Sequence, residues 1–406
     1  MHKLNLLIGW LMPALYLSFP LVMGLSNIVL LLILILFIIT FTSKYFKTES
    51  WNWPGVCLIS LYCVVLIGAI YSPASWEWIS VNLGKYTKFI YSVILMMLFL
   101  RFPEYQKRSM VAFAIAMFFI VCSTWLNVWF ILPWSETKTP GWGLTHHVFG
   151  DYITQNVMVT FFVVFLLSKL QQPWLSKSNF FWGFPALMSV ISITHLSQGR
   201  TGLLLLFAGL ISFILVRWGW SKIWISFPIV ILLIFAMLTS SEVMRERIAG
   251  GWKEFLSRDV DVMSSIGHRA YNYRTVPKMI AEKPIFGHGT GAYHTEICRF
   301  LDKPEWCEIF RWHPHNQFLY FGADHGLLGI FLYCALLFSL YRTASKSKNS
   351  EAKLLLFSLI SILIADSMIN SPLFSSRESH FFLYLMALLV PMCQSLNREN
   401  NEQMIK

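Results

Sequence analysis

Charge is what this chain has least of. Asp, Glu, Lys and Arg make up 13% of its 406 residues against 56% hydrophobic residues, and a surface so poor in charge excludes an ordinary soluble enzyme. Also missing is any polar stretch long enough for a separate soluble domain of ordinary size between the apolar runs. No small-residue cleavage site follows the first apolar run, and a second run stands directly behind it. The first is therefore read as a retained span rather than a removed signal peptide. The glycines of "FGHGTGAYH" (287, 289 and 291) have no strand before them and no Lys-Ser/Thr after them, which excludes a phosphate-binding loop and leaves a tight turn. Internal repeats and low-complexity tracts are absent.

What is present is a succession of apolar runs, each long enough to cross roughly 30 Å of hydrocarbon. About twelve are expected, near residues 6–22, 25–42, 54–71, 84–100, 109–131, 153–169, 180–197, 200–216, 222–240, 315–341, 353–370 and 380–396. The fold class is all-α integral membrane. Nine spans are expected within 1–240 and one large outward loop with short helices over 241–314. Three spans and a cytoplasmic tail are expected over 315–406. Within the loop, Pro277 and Pro284 are expected to break helices. The segment 132–152, rich in Gly, Pro and Trp, reads as irregular chain at the membrane interface.

Basic residues orient the chain. With both termini cytoplasmic, the cytoplasmic loops and tails hold about 16 of the 32 Lys and Arg, among them Lys44, Lys47, Arg101, Lys107, Arg108, Arg217, Lys222, Arg342, Lys346, Lys348 and Lys353. The opposite short loops hold about five: Lys85, Lys88, Lys138, Arg200 and Arg377. The net charge of +11 thus reflects anchoring against anionic lipid and gives no ground for nucleic-acid binding. Of seven cysteines, Cys57, Cys63, Cys122, Cys334 and Cys393 lie in spans and read as packing residues. Cys298 and Cys307 share the outward loop, where they are either a disulfide or two unpaired thiols.

Ionisable groups at the membrane boundary are candidates for chemistry, because burying one costs several kcal/mol unless it is paired or meets water. Arg200, in "HLSQGRTG" between two spans, is one. A lone arginine there can be a snorkelling anchor, but Gly199 and Gly202 on either side allow a backbone or a ligand to approach closely. Arg269 and Arg274, in "GHRAYNYR", either pair with Asp259, Asp261 or Glu282 or join Arg200. His313 and His315 open the tenth span in "HPHNQFLYFGADHGLLG", followed by Asn316. A third metal ligand is not evident nearby, and a neutral imidazole at the interface is a natural proton acceptor. Lys85 and Lys88, at the outward start of the fourth span, complete a cationic set suited to an anionic lipid head group, with pyrophosphate the obvious guess. Asp324 and His325 read as polar glue between helices. A lipid-linked sugar transporter is the alternative of another class, although transporters place polar groups near mid-bilayer and these candidates gather at one face.

"SQGRTG", "GHRAYNYRTVPKMIAEKPIFGHGTGAYH" and "HPHNQFLYFGADHGLLG", in that order and placement, resemble the bacterial O-antigen ligase superfamily of polytopic, GT-C-like glycosyltransferases, which also includes O-antigen polymerases and protein O-oligosaccharyltransferases. The resemblance covers the second half of the chain. It implies transfer of a polysaccharide from undecaprenyl diphosphate to a sugar hydroxyl of the lipid A core, with inversion, at the periplasmic face of the bacterial inner membrane, without metal, nucleotide or other cofactor. It assigns diphosphate-binding arginines to Arg200 and Arg269 and the essential histidine to His315, with Asn316 and His313 in support. One large late loop is more like a ligase than a polymerase.

Overall fold

The protein is seen here in a computed structural model, which describes residues 2–40, 52–171, 176–219 and 262–405, with isolated positions between 224 and 252. Lys44, Lys47, Lys222, Asp259, Asp261 and most of the span expected at 222–240 lie outside the described residues.

Among the described residues the chain is helical, with no strand. The helices are α1 (His2–Ser18), α2 (Met23–Thr40), α3 (Trp53–Tyr71), α4 (Trp76–Tyr86), α5 (Lys88–Arg101), α6 (Glu104–Leu126), α7 (Tyr152–Ser168), α8 (Lys177–His195) and α9 (Arg200–Trp218). Within the expected loop lie α10 (Ser265–Glu282) and short helical turns at Tyr293–Glu296 and Cys307–Phe310, and after it come α11 (Gln317–Ser345), α12 (Ser350–Ile369) and α13 (Ser376–Ile405). Among the described residues, seven helical stretches, with α4 and α5 counted as one, are long and apolar enough to cross a membrane. This is a multi-pass membrane protein. Twelve crossings stay an expectation.

Local sequence explains where several helices start. Asn52, Asp151, Ser176, Ser264, Asn316 and Asn349 each accept a backbone N–H three residues on, a cap that stabilises a helix start by about 1 kcal/mol. Two helices are buried on every side. In α7, Thr154 to Leu166 is buried throughout, and in α13 every residue from Phe381 to Val390 is fully buried. A helix apolar all round is stable only when surrounded. Phe113, Phe161 and Phe381 meet at this centre. Around it α13 packs on α5, α12 on α9, α11 on α3, α7 on α8, and α1 on α2 and α6.

Three details differ from expectation. The fourth helical stretch begins at Trp76 rather than near residue 84, so Lys85 and Lys88 stand well inside it instead of at its mouth. Pro277 lies within α10 without ending it, and the helix stops at Glu282, just before Pro284. Finally, α11 is interrupted at Gly326, whose φ of 62° and ψ of −157° are not helical.

Candidate active site

The site face is organised by that interruption. The segment 284–293 lies against the break in α11, with Gly287, Gly289 and Gly291 at φ of 70°, 104° and 77°, the tight turn their spacing suggested. Its backbone takes over hydrogen bonds that the helix gives up. His288 N–H donates to Ala323 O at 3.0 Å and Gly289 N–H to Asp324 O at 2.8 Å, while Leu327 N–H donates to Pro284 O at 2.7 Å. Broken helical backbone is tolerated at membrane depth only where protein satisfies it in this way. The Asp324 carboxylate accepts the N–H groups of Gly291 and Tyr293 at 2.9 and 2.8 Å. It is polar glue, joining helix to loop. Thr290 ties the same loop to α3 through Val65 O, at 2.5 Å.

With the loop held, the segment before α11 is fixed. Asn316 caps the helix, accepting Leu319 N–H at 2.9 Å, and its amide donates to Tyr273 Oη at 2.6 Å. His315 stands one residue outside, with φ of 52°. Non-glycine residues are uncommon in this left-handed region, Asn, Asp and His entering it more readily than the rest, and such positions cluster at active sites and ligand clamps. The turn is closed by His315 N–H donating to His313 Nδ1 at 3.2 Å. The His315 ring lies 4.2 Å from the His313 ring and 5.0 Å from that of His268, centroid to centroid.

Arg269 of α10 reaches the end of α12, its Nε donating to Ile369 O at 2.9 Å while Nη1 donates to Ser265 O at 2.9 Å. Burial and then the neighbouring Arg200 lower its pKa; the two guanidinium groups are thus within Coulombic range. Arg200 is the first residue of α9. A Cβ on Gly202 would meet Asn156 Nδ2 at 2.5 Å, and one on Gly199 would meet Tyr152 at 3.0 Å. Both glycines therefore serve close approach of α7 to the start of α9. Burial pushes His315 down to about 2, with His313, Arg269 and His268 adding to it, and burial pushes His313 down to about 4. Both rings are neutral at neutral pH. His315 Nδ1 is buried with no hydrogen-bond partner in the protein.

Arg200, Arg269, His313 and His315 thus come together, from three separate stretches of chain. Arg274 does not join them and is exposed on α10. Lys85 and Lys88 belong to an adjoining cavity of about 570 Å³ bounded by α2, α4, α5 and α13. Lys85 Nζ donates to Ser376 Oγ at 2.7 Å and Lys88 Nζ to Ser379 Oγ at 2.6 Å. Phe374 separates the two groups: Lys85 lies 4.9 Å over its ring, and the His313 ring is 6.4 Å from it on centroids. Cys298 and Cys307 are bonded to each other, with Cα atoms 5.0 Å apart. Among the described residues no cluster of His, Cys, Asp and Glu is suited to a metal ion.

Several neighbours of these residues carry no motif of their own in the sequence. His268 stands beside Arg269 and escaped notice because nothing in its own context is unusual. Asp366 is buried in α12 with both carboxylate oxygens lacking a hydrogen-bond partner and lies within Coulombic range of Arg269. Its signal was available: a lone carboxylate inside an apolar span. Glu378, also buried, accepts from Asn370 Nδ2 at 2.9 Å.

The fold and this cluster define a polytopic membrane protein with a cationic, imidazole-bearing site at one end of its bundle. A family model described as O-antigen ligase matches residues 184–334, a stretch that contains Arg200, Arg269 and His315. That match supports an O-antigen ligase/polymerase superfamily member, a superfamily of glycosyltransferase-like membrane enzymes. No curated protein matches the chain. Among solved structures, a chain from "Structural coordination of polymerization and crosslinking by a peptidoglycan synthase complex" is similar over 86% of this chain and 98% of its own, at 14% identity and a TM-score of 0.47. A likeness that low has no bearing on function.

Proposed function

We propose that this protein is an O-antigen ligase of the bacterial inner membrane, transferring polysaccharide from undecaprenyl diphosphate to a sugar hydroxyl of the lipid A core on the periplasmic face, with both termini cytoplasmic. The observation that carries the reading is the convergence of Arg200, Arg269 and His315 at the start of α11. In this scheme spans 1–9 occupy residues 1–240, the periplasmic loop 241–314, and the last three spans and tail 315–406.

The acceptor oxygen attacks the anomeric carbon of the donor from the side opposite the diphosphate. The bond from that carbon to the phosphate oxygen breaks, and its electron pair leaves on the diphosphate, so configuration inverts. Arg200 and Arg269 stabilise that charge in a poorly hydrated site, where fixed cations act most strongly. His315 takes the acceptor's proton, a contribution of about 10²–10⁴-fold. Burial and neighbouring cations keep the ring neutral before the donor arrives. A bound diphosphate offsets those cations and raises the ring's basicity when it is needed. Lys85 and Lys88 line the cavity next to the site, which suits them to receive the donor's lipid-borne phosphates, whereas Arg274 is not needed. No metal or other cofactor enters the scheme.

The test is transfer by purified protein in liposomes holding lipid-linked donor, with and without rough lipopolysaccharide. Core-linked product made without ATP or metal is expected. Donor-on-donor chain growth would instead assign a polymerase, product on a protein acceptor an O-oligosaccharyltransferase, and translocation without product a transporter.

A further inference from the structure

An uncovered indole stands beside the candidate active site. Trp312 is 59% exposed, yet the chain on either side of it is fixed. Before it, Arg311 O accepts the Nδ1–H of His294 at 2.6 Å, while Nε2 of that ring accepts from Asn82 Nδ2 at 3.0 Å. After it, His315 N–H closes on His313 Nδ1 and Asn316 caps α11. The Trp312 ring rests against Trp78, perpendicular to it at 5.8 Å between centroids. Trp78 is held in turn, stacked on the His294 ring at 4.1 Å with the Arg311 guanidinium 4.9 Å from its centroid. Trp312 stands three positions before His315, at most about 11 Å along the chain.

We propose that Trp312 is the platform on which the acceptor sugar stacks while its hydroxyl meets His315, a role that rests on the proposed function. The two substrates call for different grips. The donor carries a diphosphate, which fixed cations hold by its charge. The acceptor hydroxyl is neutral, and it must still come within hydrogen-bond reach of the base. An indole supplies the neutral hold, because the C–H bonds on one face of a pyranose are apolar and slightly positive and meet the negative face of an aromatic ring. Platform and base share one pinned segment, so the sugar is fixed relative to the nitrogen that takes its proton, and a small misplacement at a reacting centre costs much of the rate. Exposed tryptophans also anchor chains at a bilayer interface, a role that suits Trp76, 71% exposed at the start of α4. Trp312 differs in sharing its segment with the imidazoles.

The full-length protein in detergent is mixed with lipid-free core oligosaccharide released from rough lipopolysaccharide, or with free O-antigen oligosaccharide. Saturation-transfer difference NMR then reads contact between protein and sugar protons, with thermal unfolding as the check on folding. Core protons are expected to receive saturation from the wild type, and Trp312→Ala is expected to weaken that binding at least about tenfold. Trp312→Tyr, which keeps an aromatic face, should retain most of it, and Trp312→Leu, apolar without such a face, should behave like the alanine variant. Trp76→Ala is expected to change nothing. In the liposome assay Trp312→Ala should raise KM for rough lipopolysaccharide and leave kcat and the donor KM little changed. No core contact in the wild type, equal contact in Trp312→Ala, or full binding by Trp312→Leu would overturn the platform. Trp312-dependent contact with the O-antigen oligosaccharide in place of the core would overturn it in favour of a donor site, and equal loss in Trp76→Ala in favour of interfacial anchoring. A wild type that transfers to core while Trp312→Ala keeps its acceptor KM sinks this inference alone. A wild type that binds core through Trp312 but transfers nothing sinks the proposed function, while the contact still supports the platform.

Discussion

At the scale of single residues, the proposed chemistry rests on His315, a histidine kept neutral by burial and by the cations beside it. His315→Ala is expected to lower transfer by about 10²–10⁴-fold while the protein inserts and unfolds normally; full activity in that variant would remove the ring from the mechanism. Arg269→Lys keeps the charge but loses the fork that grips Ile369 O and Ser265 O, so it is expected to retain only part of the rate. The pH profile is a separate check. An unshifted imidazole would lose about half its neutral fraction at pH 6.5 and nine-tenths by pH 5.5. Because His315 is held near 2 in the free enzyme, kcat/KM is expected to stay flat from pH 8 to 5.5. Stability has its own sign. His294, His313 and His315 all have lowered values in the folded protein, with burial the first cause of each. On acidification the unfolded chain takes up protons first. Folded-state stability is therefore full above about pH 6.5 and falls as pH drops below it. Thermal unfolding from pH 7.5 to 5 should show the midpoint decreasing, and His294→Gln with His313→Gln should flatten the trend.

At the scale of elements, the decisive feature is the broken helix α11 and the glycine loop that mends it. A Cβ at Gly287 would come within 2.4 Å of His325 N, and one at Gly326 within 2.5 Å of Ile285 C. Both clashes are with backbone, which has nowhere to move. Gly287→Ala is expected to destabilise by about 3 kcal/mol or more and, by shifting the loop, to reduce transfer as well. Gly24→Ala in α2 is the contrast, since a Cβ there meets nothing within 4 Å. That change should be neutral or stabilise by about 0.5–1 kcal/mol. Thermal unfolding of the two variants side by side checks both signs. Helix α10 shows why a proline need not end a helix. Pro277 sits inside α10, where only tertiary packing, with Val276 and Met279 fully buried, outweighs its local cost of roughly 3 kcal/mol.

At the scale of the whole molecule, two cavities stand at opposite ends of the bundle, one beside the imidazoles and one beside Arg342 and Lys346. If the first end is periplasmic, a cysteine placed at Lys138 should react with a membrane-impermeant thiol reagent in intact cells and one at Lys348 should not. The reverse pattern would invert the proposed topology. Much of this was legible beforehand. Helix positions follow from runs of apolar residues with Asn, Asp and Ser caps, because a bilayer demands local satisfaction of every backbone group. Arg200 and the pair His313 and His315 stood out because ionisable groups at membrane boundaries are costly and few. Tertiary structure alone decided which cations meet those rings. Arg200 and Arg269 are 69 positions apart in the chain yet share one Coulombic environment, while Arg274, five positions from Arg269, faces away. It also decided that Lys85 and Lys88 open a neighbouring cavity behind Phe374, that Asp324 holds a loop, and that α11 breaks at Gly326. The physical reason is the range of each force. Hydropathy and capping act within a few residues and are written along the chain, whereas the electrostatics of a site depend on distances through space, which exist only after the helices have packed.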